Sequence, residues 1–159
     1  MGNKIMPFLW FDNQAEEAMN LYVSVFKVSE VLSVNRIGEG SAGEPAPVMT
    51  VSFTLNGQQF IGLNGGPGHS FSDATSFVID CVDQAEVDYY WDALTADGGE
   101  PGPCGWLKDK FGLSWQVVPR ALHECIGGPD PEGAQRAVQA MLKMSKLDVA
   151  ELRRAYAGA

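Results

Sequence analysis

The fold turns on the stretch "NQAEEAMNLYVSVF" at residues 13–26, because the chain offers it a second time. It sets Ala18, Leu21, Tyr22, Val25 and Phe26 at i, i+3, i+4, i+7 and i+8, one apolar stripe of an amphipathic helix. "DQAEVDYYWDALTAD" at 83–97 sets Val87, Tyr90, Trp91 and Leu94 on a second such stripe. Both stretches open with a side-chain acceptor, Asn13 or Asp83, followed by the same Gln-Ala-Glu tripeptide. Glu16 and Glu86 stand three residues after those acceptors, where a glutamate can reach back to the start of the helix. The expected N-caps are therefore Asn13 and Asp83.

Working outward, each helix follows an apolar strand, "IMPFLWF" (5–11) or "TSFVIDC" (75–81), and precedes more strand material. The first copy continues with "EVLSVNRI" (30–37), "VMTVSFTL" (48–55) and "QQFIGL" (58–63), with Asn56-Gly57 as a hairpin turn. The second continues with "EPGPCGWLKD" (100–109) and "LSWQVVP" (113–119) around the turn Lys110-Phe111-Gly112. The fold class is α+β: tandem βαβββ modules at 5–63 and 75–119, joined by the Gly/Pro-rich connector "NGGPGHSFSDA" (64–74). Each module leaves one sheet face to cover, and two such sheets facing each other would enclose a curved cavity. The modules are expected to form one domain over 1–119. Beyond Pro119 the character changes to a helical tail, 120–159. "PEGAQRAVQAMLKM" (131–144) starts at Pro131, and "DVAELRRAY" (148–156) carries Asp148 and Glu151 as a cap pair. These short helices are expected to pack on the body or on a second subunit.

The totals set limits on function. A chain of 159 residues is the size of one ordinary domain and needs neither disulfides nor a structural metal to fold. No apolar run approaches the roughly 20 residues that cross a bilayer, and "MGNKIMPFLWFDNQ" has neither the shape of a secretory signal nor, with Met6, the myristoylation pattern. Cys81, Cys104 and Cys125 are odd in number and widely spaced, which suits a reducing compartment. The reading is a soluble, cytoplasmic protein with no membrane partner. A net charge of −9 argues against nucleic acid, whose phosphates need clustered Lys and Arg. Residues 1–119 hold five Lys/Arg against fifteen Asp/Glu, whereas 120–159 hold six against five.

The doubled βαβββ order, the leader "PFLWFDNQAEEAMNLYVSVF", the closing "DKFGLSWQVVP" (109–119) and the tail "AMLKMSKLDVAELRRAY" resemble the PhnB-like branch of the vicinal-oxygen-chelate (glyoxalase/bleomycin-resistance/dioxygenase) superfamily. Members of this branch often carry the name 3-demethylubiquinone 3-methyltransferase. The resemblance implies a homodimer. In metal-using relatives, four inward His, Glu or Gln side chains on four strands bind a divalent ion that chelates two neighbouring substrate oxygens. Carried over, those positions fall at Pro7, Gly62, Ser76 or Phe77, and Gln116. Pro, Gly and Phe bring no side-chain donor, and Ser is a poor ligand. Only Gln116 could coordinate, so neither a metal nor a cofactor is expected.

Gln116 is the polar residue in the middle of an apolar strand. A glutamate there, without a cation opposite, would bury an unpaired charge; a glutamine needs only hydrogen bonds. Two readings of it stand, a bond to a neighbouring strand and a contact to a ligand. Period-2 alternation puts Leu9, Phe11, Phe60, Ile79, Ser114 and Val118 on the face of the mapped positions. The expected ligand site is thus Gln116, Phe11, Phe60 and Ser114, joined by His69 from the connector, and it suits a small apolar or aromatic molecule. His69 reads either as an exposed loop imidazole or as an acid or base. His69, Asp73 or His123 could hold an ion outside the mapped set, and His123 beside Cys125 is a poor nucleophile pair because residues two apart face different ways on a helix. The glycines of "NGGPG" match neither the dinucleotide-binding nor the P-loop pattern. A doubly wound fold for S-adenosylmethionine is not in the order of elements, so methyl transfer is not expected. The expectation is a binding protein for a small organic molecule. The rival is an enzyme of the same superfamily, of lyase, dioxygenase or transferase type, with an ion or acid/base outside the usual positions.

Overall fold

The computed structural model describes residues 3–159. The chain divides into two compact units, the first ending at Ser70 and the second running from Phe71 to Ala159.

In the first unit, β1 (Phe8–Phe11), α1 (Ala15–Val25), β2 (Ser29–Arg36), β3 (Val48–Leu55) and β4 (Gln58–Asn64) realise one βαβββ module. The sheet order is β1-β4-β3-β2, with β1 and β4 parallel and the other pairs antiparallel. Asn56 and Gly57 take φ of 51° and 86°, the left-handed pair that a two-residue hairpin between β3 and β4 requires. Helix α1 covers one face of the sheet with Ala15, Ala18, Met19, Tyr22 and Val25; Met19 joins the expected stripe, and Leu21 lies at its margin. Beneath the helix, Val51, Phe53, Leu55 and Phe60 are buried. Phe60 stacks on Phe53 with ring centroids 5.5 Å apart, and Tyr22 tilts onto Phe53 at 6.2 Å. Each fully buried ring of this kind contributes about 1.5–3 kcal/mol.

The cap of α1 departs from the expectation. The helix starts at Ala15 behind Gln14, and Asn13 does not cap it. Asn64, at the end of β4, accepts the Ala15 N–H at 2.8 Å through Oδ1 and donates to the Val48 carbonyl through Nδ2 at 3.1 Å. One amide thereby closes the helix start and ties it to two strands, meeting donors that would otherwise be orphaned.

The second unit repeats the order with β5 (Ser76–Cys81), α2 (Gln84–Thr95), β6 (Glu100–Pro101), β7 (Trp106–Lys108) and β8 (Ser114–Pro119), in sheet order β5-β8-β7-β6. Here a variant of the capping box is present, in which the glutamate bonds the N–H of Val82, one residue before the N-cap, instead of that of Asp83. Asp83 accepts the Glu86 N–H at 3.0 Å, and Glu86 Oε2 accepts the Val82 N–H at 2.8 Å. Val87, Trp91 and Leu94 of α2 pack toward a sheet face that buries Ile79, Cys81, Leu107, Trp115 and Val117. The turn before β8 is organised by Asp109, only 2% exposed, which accepts the Phe111 and Leu113 N–H groups at 2.9 and 3.1 Å and the Trp115 indole N–H at 2.9 Å. A buried carboxylate is tolerated there because three donors meet it.

Three tail helices follow: α3 (Arg120–Ile126), α4 (Pro131–Met141) and α5 (Val149–Ala157). Asp130 caps α4 ahead of Pro131, and Asp148 accepts the Glu151 N–H at 3.0 Å. Val118, Leu122, Cys125, Ala137, Leu147 and Leu152 form one apolar cluster, so the tail packs within the second unit. Residues before α5 also bond to the short β6–β7 region. The Cys104 N–H donates to Met144 O and the Gly105 N–H to Ser145 O, both at 2.8 Å, and the Ser145 hydroxyl donates to Gly102 O.

Candidate binding site

Each sheet has one face under its helix and one face that the helix leaves open. Position on a strand decides which, since successive side chains alternate. In the second unit Ser76, Val78 and Asp80 of β5 pair with Ser114, Gln116 and Val118 of β8, and Trp106 and Lys108 of β7 pair with Gln116 and Ser114. This is the open face. Gln116 Nε2 donates to Ser76 Oγ at 2.9 Å, and among the described residues its Oε1 has no hydrogen-bond partner. The neighbouring-strand bond expected of Gln116 is thus made by one end of the amide only. Val78, 57% exposed, lies beside the pair, and Trp106 is half-buried. Of the two mapped residues on β5, Ser76 shares the face of Gln116, whereas Phe77 lies on the opposite face and packs on Trp115 with centroids 5.7 Å apart.

In the first unit the mapped positions fall on the other side. A Cβ built on Gly62 would stand 2.9 Å from Val51 Cγ2 and 3.5 Å from both Ala15 Cβ and the Phe11 ring. Gly62 therefore faces α1, and its lack of a side chain serves close packing of helix on sheet. Leu9, Phe11 and Phe60 share that covered face and are 5%, 3% and 5% exposed. Alternation sets Phe11 and Phe60 on the face of Gly62, as expected, but that face lies under α1, so the two are core residues and not an open lining. The open face of this sheet carries Phe8, Trp10, Ile61 and Leu63 beside Thr50, Ser52 and Gln59. Since Phe8 pairs with Ile61 as Val78 pairs with Gln116, the counterpart of Gln116 in the first unit is Ile61.

These positions test the superfamily's metal site. Pro7 and Gly62 bring no donor atom, and their open-face neighbours Phe8 and Ile61 are apolar. Ser76 and Gln116 bring one hydroxyl and one amide, already bonded to each other. That set does not fit a divalent transition ion, which wants several imidazole or carboxylate ligands. Among the described residues no group of three or more His, Cys, Asp or Glu side chains is placed to hold a metal.

The other candidates are dispersed. His69 is exposed and stands edge-on to Trp10, ring centroids 4.7 Å apart, while the Trp10 indole N–H donates to Gly66 O at 2.9 Å and pins the connector to β1. His123 is exposed on α3, whereas Cys125 is buried in the tail cluster, its thiol pushed up by burial. Cys81 is fully buried and pushed up to about 12, first by burial and then by Glu86, Asp80 and Asp83, so it is no nucleophile near neutral pH. Ser114 does lie on the open face, 1% exposed, and its hydroxyl, buried, has no partner among the described residues. It lines a groove of about 250 Å³ with Asp73, Glu100, Pro101, Trp106 and Lys108. Trp106 and the β6–β7 segment carry no signal in their sequence that marks them as a site, and Asp73 is legible there only as a possible ion ligand; the fold brings them into one groove.

Two mixed four-stranded sheets, each under one helix, are the repeated βαβββ order of the glyoxalase/bleomycin-resistance fold. A fosfomycin-resistance protein from Mesorhizobium loti shares the fold at 12% identity, with a TM-score of 0.52 over 74% of this chain and 90% of that one. A protein from Pseudomonas aeruginosa does so at 17% identity, with a TM-score of 0.60 over 74% and 98%. Within that class the chain belongs to the 3-demethylubiquinone-9 3-methyltransferase (PhnB) family, whose model matches residues 3–118. A Bacillus cereus PhnB protein bearing the same methyltransferase name is 36% identical over 74% of this chain and 99% of its own, with a TM-score of 0.64. No curated protein matches the chain. The family match stops at residue 118, ahead of the tail helices. Among the described residues no helix is long and apolar enough to cross a membrane.

Proposed function

We propose that this chain is a binding protein of the PhnB family that holds a small, largely apolar or aromatic molecule on its open sheet face, oriented by the Gln116 amide and without a metal at the superfamily's ligand positions. The observation that carries the reading is Gln116 itself: a half-buried amide on the uncovered face, held by Ser76 at 2.9 Å, with its oxygen directed to no partner among the described residues. Around it Val78 and Trp106 supply apolar surface. A few fixed polar groups on an apolar wall are what a small-molecule site needs. The family's methyltransferase name finds no support in the topology, because neither sheet is the doubly wound parallel sheet with a glycine-rich turn that holds dinucleotides and similar cofactors.

A thermal-shift screen of the whole chain against aromatic metabolites and aromatic antibiotics tests the reading. A compound at a hundredfold excess over its Kd adds about 2.7 kcal/mol of stability. The expected hit loses its shift in Gln116→Leu; a broad panel without a shift, or hits indifferent to Gln116→Leu, overturns it. A second reading, an enzyme of the same fold with an acid or base outside the usual positions, draws on His69, whose ring rests on Trp10. Stoichiometric zinc, nickel, manganese or iron in protein purified without chelators would favour that enzyme. We also infer a homodimer in the cytoplasm, from the family resemblance and the absence of a long apolar helix; a monomer by light scattering at micromolar concentration would refute the dimer.

A further inference from the structure

We propose that the groove beside β6, β7 and the start of β8 selects a protonated amine carried on a single ring by a short arm. The inference rests on the reading of the open face as a binding surface and names the chemistry that one end of it takes. At about 250 Å³ the groove is smaller than most ligand pockets, which limits its guest to roughly one ring and a two-carbon chain. Trp106 and Pro101 give it an aromatic and a rigid apolar wall.

The charges on its rim do not balance. Glu100 and Lys108 are opposite each other in the β6–β7 pairing, so their opposite charges offset one another. Asp73 has no ion-pair partner among the described residues, which leaves one carboxylate unopposed. A cation is therefore the guest whose charge the groove completes, and the same cation is attracted by the indole of Trp106. The chain's net charge of −9 acts in the same direction.

The second and independent pointer is Ser114. Ser114 is among the residues that line the groove, and its hydroxyl is closed from solvent and bonds to nothing among the described residues, although buried polar groups are nearly always paired. An ammonium N–H that displaces the wall over this hydroxyl supplies the bond that the fold leaves unmade. No nucleophilic role is involved: the hydroxyl accepts, the amine donates, and no covalent bond changes.

The test uses the whole chain with three probes that share a phenyl ring on a two-carbon arm: 2-phenylethylamine, 3-phenylpropionate and ethylbenzene, followed at low salt by calorimetry and by the NMR signal of the Trp106 indole N–H. The amine is expected to bind at least about tenfold more tightly than the acid, a difference on the order of 1.4 kcal/mol, and to move the Trp106 signal. Asp73→Asn should weaken the amine about tenfold and leave ethylbenzene unchanged. Ser114→Ala should weaken it severalfold, while Asp12→Asn, far along the chain, changes nothing. Equal affinity for acid and amine, an unchanged Kd in Asp73→Asn, or a still Trp106 signal overturns the proposal. If aromatic compounds bind in a Gln116-dependent way while 2-phenylethylamine does not, the amine inference falls and the binding reading stands; if nothing binds, both fall.

Discussion

Gln14 and Gln84 occupy the same place in the two Gln-Ala-Glu tripeptides, and their fates divide the molecule. Gln14 is exposed ahead of α1 and makes no cap bond. Gln84 donates to Asp88 Oδ1 and Leu147 O at 3.0 and 3.1 Å and accepts the Val149 N–H at 2.8 Å, so it fastens the tail to α2. The strands differ in the same sense. The first unit has eight-residue β2 and β3, whereas β6 and β7 have two and three residues, and segment 144–145 makes backbone bonds beside them. A module with long strands closes on itself; the one with short strands is completed by sequence from beyond its last strand.

The comparison can be broken at four places. Leu147→Ala, at a fully buried leucine of the tail cluster, is expected to cost the second unit about 2–5 kcal/mol in urea denaturation, and a loss under 1 would mean that the tail is not part of that unit's core. Gly62→Val imposes on the first unit the residue that β8 has at the matching position, Val117, and should cost about 1–3 kcal/mol because Val51 and Ala15 crowd the site. Gln84→Ala should cost about 1–2 kcal/mol, against no measurable change for Gln14→Ala. The same variant has a pH signature. Asp88 is held below the usual carboxylate value first by the Gln84 amide and then by Lys146, so its support is present above the unfolded-state pKa and is lost as pH falls through the folded one. NMR titration of Gln84→Ala should find Asp88 moved back up; an unmoved Asp88 would leave Gln84 no part in holding it. The smallest effect belongs to the caps: Asp83→Ala should cost about 1 kcal/mol and Asn13→Ala nothing, and equal losses would erase the asymmetry.

What the sequence discloses is local, though the equally local Asn13 cap fails because Asn64 from the end of β4 takes the Ala15 N–H. Stripes at helical spacing, the Asn56-Gly57 turn, the Asp83 box and the Asp148 cap all depend on residues within a turn of one another, and each is found in place. The face of β1 is not disclosed, because "FLWF" is apolar on both sides. Alternation groups Phe11 with Leu9 and Phe60 with Gly62 correctly, but it does not say which of the two faces lies under the helix. Gln116 is legible because it is polar among apolar neighbours. Its partner Ser76, forty residues away, becomes evident only from the β5–β8 pairing, as does the cap from Asn64, forty-nine residues beyond Ala15.

The fastening of segment 144–149 to α2 and the β6–β7 loop sets an order of events during synthesis. The first unit has every one of its strands and its helix once Ser70 is clear of the ribosome. Its sibling waits for Leu147, and at roughly 5–20 residues per second that delay is on the order of ten seconds. A nascent chain arrested before residue 144 should therefore carry a finished N-terminal half beside a C-terminal half still open to chaperones and proteases.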